Sequence, residues 1–223
     1  ASALYKLEIN NYWSTNAGIQ IAKDKIHYFN IIENLLGGQF YYNYNGWVID
    51  DGLINSFQNN IQSPDQKIKE GEKWGPNFEL ESMQATSWLQ LKNTSPRWEF
   101  STGLNYGMDL FQRNGFNQNG LFINNSLGRS SLLYFPSVGY KGQILYKYSG
   151  RIYVRSIFFN QQFAPNAATV FLDPAFHAFQ TPFLLPLLKN GIDLSFYFRG
   201  VDTKIMLSAY FQKVKNESEK RFF

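Results

Sequence analysis

The run Trp98-Glu99-Phe100-Ser101-Thr102-Gly103-Leu104-Asn105-Tyr106-Gly107-Met108-Asp109-Leu110 alternates without a break. Its even positions are Trp98, Phe100, Thr102, Leu104, Tyr106, Met108 and Leu110. The odd ones, with Arg97 ahead of them, are Glu99, Ser101, Gly103, Asn105, Gly107 and Asp109. Successive side chains of a strand point to opposite faces, so a period of two gathers the apolar residues on one face and every charge on the other. The run outlasts the roughly 5–6 residues of an ordinary globular strand. It has the length of a tilted membrane crossing, about 9–11 residues plus overhang.

Further segments carry the same period. Val138, Tyr140, Ile144, Tyr146 and Tyr148 oppose Lys141, Gln143 and Lys147, and Ile192, Leu194, Phe196 and Phe198 oppose Asp193, Ser195 and Arg199. Thr203, Ile205, Leu207, Ala209 and Phe211 oppose Lys204, Ser208 and Gln212; Met83, Ala85, Leu89 and Leu91 oppose Gln84, Thr86 and Gln90. Near the start, Tyr5, Leu7, Ile9 and Trp13 oppose Lys6, Glu8 and Asn10. The pattern is weaker over 17–25 and 151–162. Turn-forming residues at Ser14–Asn16, Asn93–Pro96, Ser149–Gly150 and Gly200–Asp202 mark four short connections. They define hairpins at about 3–25, 79–111, 137–162 and 191–214, separated by long loops at about 26–78, 112–136 and 163–190. Short and long connections alternate strictly, so an up-and-down sheet carries its tight turns on one rim and its long loops on the other. Outer-membrane barrels sort their loops this way. The expected fold is therefore all-β: an antiparallel, up-and-down transmembrane β-barrel segment of about eight strands.

Composition agrees. Aromatic residues make up 18% of the chain and charged residues 17%, while mean hydropathy is negative. That is too polar for a bundle of membrane helices and suits strands apolar on one face. Trp13, Trp98, Tyr148 and Phe198 fall beside the short turns, where an interfacial aromatic girdle belongs. The formal charge of +4 is scattered along the chain, without the basic stripe that nucleic-acid binding requires. The absence of Cys excludes disulfides, thiolate metal sites and a cysteine nucleophile. Residues 1–25 show no basic-then-apolar leader with a small-residue cleavage site, so either a removed signal peptide or a start of the protein outside this sequence is expected.

The run Tyr140–Tyr153, followed by Ala164-Pro165-Asn166-Ala167-Ala168 and Asp173-Pro174, resembles the later barrel region of TonB-dependent outer-membrane receptors. Leu35–Tyr42 and Lys67–Gly71 in the first long loop resemble it too. The resemblance implies a bacterial outer-membrane receptor importing a nutrient such as a siderophore or glycan. It implies a barrel of about 22 strands closed by a plug and energised by TonB. Plug and TonB box are not found in this sequence, so the resemblance implies an internal barrel piece. Its expected partners are outer-membrane lipid, the plug and remaining strands, and TonB indirectly, with a surface lipoprotein as a further candidate. The ending Lys220-Arg221-Phe222-Phe223 reads as a truncation point rather than a closing strand, because neither face before it is apolar.

Chemistry-bearing motifs are sparse. His27 and His177 fall in different long loops without a partner at metal-ligand spacing and are expected to be solvated. Asp50-Asp51 reads as a turn, and no nucleophile elbow or phosphate loop is present. No enzyme activity and no cofactor are expected. The triplets at Asn93, Asn124 and Asn216 read as turn chemistry. The binding candidates are the first-loop aromatics Phe40, Tyr41, Tyr42, Tyr44, Trp47 and Trp74, which stand among Asn and Gly and suit a sugar or an aromatic chelate. Arg151 and Arg155 are expected to face the lumen. Trp98, Phe100, Leu104, Tyr106, Leu110, Tyr140, Ile144, Tyr146, Ile192, Leu194, Phe196, Phe198, Ile205, Leu207 and Phe211 are expected to face lipid. Two other readings stand beside this one: a complete eight-stranded barrel of structural or adhesive role, requiring residues 3–13 to pair with 203–214, and a soluble all-β protein such as a lipocalin-like binder or a β-rich hydrolase.

Overall fold

A computed structural model describes residues 1–46 and 55–217. Trp47, Asp50-Asp51, Ser218 and the terminal Lys220–Phe223 lie outside the described residues. The elements are β1 (Ser2–Glu8), β2 (Trp13–Ile31), β3 (Tyr41–Tyr42), β4 (Lys67–Ile68), β5 (Lys73–Thr94), β6 (Trp98–Gly115), β7 (Gly128–Arg129), β8 (Leu133–Lys147), β9 (Ile152–Phe163), the single helical turn α1 (Ala167–Val170), β10 (Leu187–Arg199) and β11 (Lys204–Lys215). Among the described residues no helix is long and apolar enough to cross a membrane, which says nothing about strands.

The main sheet is an antiparallel meander in the order β1-β2-β5-β6-β8-β9-β10-β11, with β7 attached to β6. Every neighbouring pair on this path is antiparallel. The sheet is open. Residues 3–13 do not pair with 203–214, and β1 and β11 form its two edges.

Two boundaries differ from the sequence reading. The first tight turn lies at 9–12 rather than 14–16, and Trp13 opens β2. Asn10 makes this turn: its Oδ1 accepts the backbone N–H groups of Tyr12 (2.9 Å) and Trp13 (3.0 Å), a local bond that Asn forms readily. The strands also run further toward the long loops than their apolar pattern does. β2 has 19 residues and β5 has 22, about 70 Å for β5 at ~3.3 Å per residue.

The reason the pattern stops early is an exchange of polarity between the two faces. On the outer face, the side of Leu104, Ile21 gives way to Lys23, Met83 to Glu81, Leu110 to Gln112, Phe158 to Asn160, Ile192 to Asn190 and Phe211 to Lys213. Lys25 Nζ lies 2.8 Å from Glu79 at this level, and Arg129 lies 3.7 Å from Glu81. On the inner face the order reverses. Asn16, Gln90, Ser101 and Asn105 lie toward the short turns, whereas Ile26, Phe78, Leu80, Phe111 and Phe135 lie toward the long loops.

The buried apolar core sits on that inner, loop-side patch. Phe78, Leu80, Phe111 and Phe135 are covered by Val170 and Phe171 from α1 and the segment after it. The outer face has no such cover: Leu104 is 57% exposed, Leu194 54% and Leu207 64%. Close ring packing fixes register elsewhere. Trp88 lies over its cross-strand partner Gly18, and Phe158 over Gly142, positions where any Cβ would overlap the ring.

Candidate binding site

Three long loops converge above the inner face and bond to one another. Ile61 N–H donates to Gln118 O (2.8 Å), Gly120 N–H to Gln58 O (2.9 Å) and Ala178 N–H to Asn125 O (2.8 Å). Arg113 stands at their centre, 2% exposed. Its Nε donates to Pro174 O and its Nη1 to Ser126 O, both at 2.7 Å. The guanidinium also lies 5.5 Å from the centroid of the Phe78 ring. Arg113 thus ties the second and third loops to the sheet through two charge-assisted bonds.

His177 belongs to the same cap and corrects the expectation of a solvated loop residue. It is 5% exposed, its ring 4.4 Å from Phe122 and 4.7 Å from Phe179, and its Nδ1 accepts the Phe179 N–H at 3.2 Å. Burial holds its pKa below the ordinary value. His27 lies on β2 rather than in a loop, with Nε2 2.7 Å from Asn77 Oδ1. Among the described residues no group of His, Cys, Asp and Glu could hold a metal ion.

The first loop divides its aromatics. Alternation through β3 puts Phe40, Tyr42 and Tyr44 in one row: Phe40 meets Tyr42 edge-on at 5.2 Å, Tyr42 stacks on Tyr44 at 5.1 Å, and Phe57 meets Tyr44 edge-on at 4.9 Å. Tyr41 points the other way, against Trp74, which belongs to β5 rather than to the loop (5.7 Å). Lys67 Nζ lies 4.4 Å from the Phe40 ring. Asp65 holds the row in place. It takes a left-handed backbone, φ 52°, which Asp tolerates better than most residues, and its Oδ1 accepts Tyr44 Oη–H and Gln58 Nε2–H, both at 2.7 Å. These bonds hold the Asp65 carboxyl below its usual range and push the Tyr44 hydroxyl up to about 12. Phe40, Tyr42 and Phe57 remain exposed. The row is an aromatic platform edged by amides and one cation, chemistry suited to stacking on a sugar ring or a planar chelate.

Beneath the cap, Gln84, Thr86, Asn105, Asp109, Ser137 and Gln161 line a pocket of about 270 Å³, bounded above by Phe163–Pro165. The sequence reading put Gln84, Thr86, Asn105 and Asp109 only on a polar face and gave Ser137 and Gln161 no assignment. Phe57, Asp65, Lys67 and Arg113 also escaped it. A lone Phe, Asp, Lys or Arg in a polar stretch carries no period.

The register puts every side chain expected to face lipid on the outer face. Trp98, Phe100, Leu104, Tyr106 and Leu110 stand on β6; Tyr140, Ile144 and Tyr146 on β8; Ile192, Leu194, Phe196 and Phe198 on β10; and Ile205, Leu207 and Phe211 on β11. Trp98 packs on Tyr146 at 4.4 Å beside the short turns. Arg155 lies on the inner face, its register partners being Leu145 and Ser195. Arg151 lies in the turn before β9, where its carbonyl accepts the Arg199 N–H at 2.8 Å. Comparison of the chain with models of known protein families and with curated proteins finds no match.

Proposed function

We propose that this chain forms part of the wall of a bacterial outer-membrane β-barrel receptor that imports a nutrient ligand in a TonB-dependent manner. The observation that carries the reading is the exchange of polarity between the two faces. A soluble sandwich buries one face along its whole length. Here the outer face is apolar only from the short turns to Ile21, Met83, Leu110 and Phe211, and then becomes polar or charged. On β6 the band from Phe100 to Leu110 is about 33 Å along the strand, or about 25 Å across a membrane at a tilt near 40°. That matches the hydrocarbon-facing height of outer-membrane barrels.

Exposed apolar patches on soluble proteins rarely exceed a few hundred Å², and this one crosses the sheet. The open edges fit the same reading. Unpaired N–H and C=O groups are costly in hydrocarbon, so β1 and β11 require neighbouring strands from the remainder of the receptor. The long loops are then external, the platform of Phe40, Tyr42, Tyr44 and Phe57 faces the medium, and the inner face lines the lumen with its plug. A surface lipoprotein over the loop cap is compatible with this arrangement.

Uptake tests the reading. Cells with the intact receptor and cells lacking it are offered ferric siderophores, cobalamin and oligosaccharides, with and without a protonophore. Receptor-dependent accumulation of one class, abolished by the protonophore and reduced at least fivefold by Y42A/F57A, is expected. Recovery of the protein in the soluble fraction would overturn the proposal.

A further inference from the structure

The pocket beneath the cap has a floor, walls and a lid of different chemistry. Gly107 and Gly139 stand on neighbouring strands of the inner face, β6 and β8, opposite Ser137 and Asn105. A Cβ at Gly107 would overlap Ser137 Oγ, and one at Gly139 would overlap the Asn105 amide. The two glycines therefore let Ser137 and Asn105 lie low across the sheet and leave a hollow above them. Ser137 is itself only 8% exposed. Gln84 and Thr86 rise on one side from β5, and Gln161 rises on the other from β9. Asp109, the cross-strand partner of Gln84, closes the end toward the long loops. Phe163–Pro165 form the lid.

Donors and acceptors decide the occupant. The Asn105 and Gln161 amides and the Thr86 and Ser137 hydroxyls each donate and accept, whereas an ionised Asp109 only accepts, and it takes a bond from Gln84. No Lys, Arg or His among the described residues lines the pocket. Lys189, the cross-strand partner of Gln161, is held over the Phe163 ring at 5.5 Å and is not part of the lining. An anion would therefore meet a carboxylate with no cation to balance it, and a large apolar chelate would meet amides. The volume of about 270 Å³ stands at the small end of ligand pockets, about 300–1,000 Å³, which suits a single ring. A ring whose hydroxyls each donate and accept, and whose C–H face rests on Phe163, meets all of these conditions. We propose that this pocket binds one neutral pyranose unit of an oligosaccharide, with Asp109 accepting from a sugar hydroxyl. The proposal rests on the receptor reading, which makes the pocket part of the ligand's path, and it selects a neutral glycan from the classes that reading leaves open.

Binding to the intact receptor, purified in detergent, tests the pocket. The probes are neutral gluco-, manno- and galacto-oligosaccharides, their uronic-acid counterparts, a ferric tricatecholate and cyanocobalamin. At least one neutral oligosaccharide should bind, and its uronic-acid counterpart should bind at least tenfold more weakly. D109N, which keeps the size of the side chain, should weaken the neutral sugar at least fivefold, and N105A/Q161A at least tenfold. K189Q, outside the lining, should change its affinity less than twofold. Tighter binding of the uronic acids, the ferric catecholate or cyanocobalamin, an affinity unchanged in both D109N and N105A/Q161A, or no binding of any neutral probe would overturn the proposal. Fractionation of the producing cells separates the two readings. Neutral-sugar binding by a protein recovered in the soluble fraction sinks the receptor reading alone. An outer-membrane receptor that imports a ferric chelate or cobalamin and binds no neutral sugar sinks the pocket alone.

Discussion

Arg113 and Arg155 sit on the same face of the same sheet, at opposite ends. Arg113 is sealed under the long loops and gives its Nε and Nη1 to two carbonyls at 2.7 Å. Arg155 lies toward the short turns, its Nε buried and without a partner, among cations and tyrosines. A buried guanidinium whose donors are met is part of the scaffold. One whose Nε is not met is held by packing, here against the Tyr197 ring at 5.4 Å. The two ends of the inner face therefore differ in build: one is a cap with its own core, the other an open groove lined by Arg155, Tyr197 and Lys204.

The largest expected effect deepens this contrast from the cap side. Phe171→Ala removes a 1%-exposed ring from the core beneath the loops and should cost about 3–4 kcal/mol, read as a lower denaturant midpoint together with faster proteolysis of residues 164–186. Arg113→Met leaves the Ser126 and Pro174 carbonyls buried without their donors and should cost about 2–3 kcal/mol. Arg155→Met, measured the same way, should cost less than about 1 kcal/mol, because no bond from its Nε is lost. If the two arginine variants cost the same, the contrast fails.

Acid should loosen the cap and spare the groove. The folded pKa of His177 is depressed, so the stabilisation from its neutral form is present above the ordinary pKa near 6.5 and is lost as pH falls through the lower folded value. The protection factors of the Ala178 and Phe179 amides, taken against intrinsic exchange at each pH, should therefore fall between pH 7 and 5, with no comparable change at Tyr197. The smallest effect belongs to Arg199→Gln, which removes a repulsion with its cross-strand partner Lys204 and should stabilise by roughly 0.2–1 kcal/mol.

How much of this was legible beforehand depended on period. Strands with one apolar and one polar face, from Trp98 to Leu110 above all, read directly from the residues, as did the sorting of short and long connections. The continuation of β2 to Ile31 and the early start of β5 did not. There the apolar residues cross to the other face, and a period followed on one face alone ends at Ile21 and Met83. Ser14–Asn16 and Asn10-Asn11 are both turn-like in composition. The bonds from Tyr12 and Trp13 to Asn10 decided between them, and composition does not contain that. The aromatic row was visible as a cluster, but its division by alternation and its anchoring on Asp65 are three-dimensional facts. His177 reads as a solvated loop residue and Arg113 carries no signal at all, because burial by a distant loop leaves no local trace in the sequence.

The polarity exchange is the central claim, and single-cysteine labelling tests it most directly: this stretch has no native Cys, and any Cys elsewhere in the intact receptor is first replaced by Ser. Leu104→Cys and Gln112→Cys lie on the same outer face of β6, one within the apolar band and one beyond it. In the intact receptor in cells or liposomes, the account predicts that a water-soluble maleimide labels Q112C and not L104C, while a lipid-borne quencher reaches a fluorophore at L104C only. Equal labelling of both positions by the water-soluble reagent, without quenching from lipid, would contradict it.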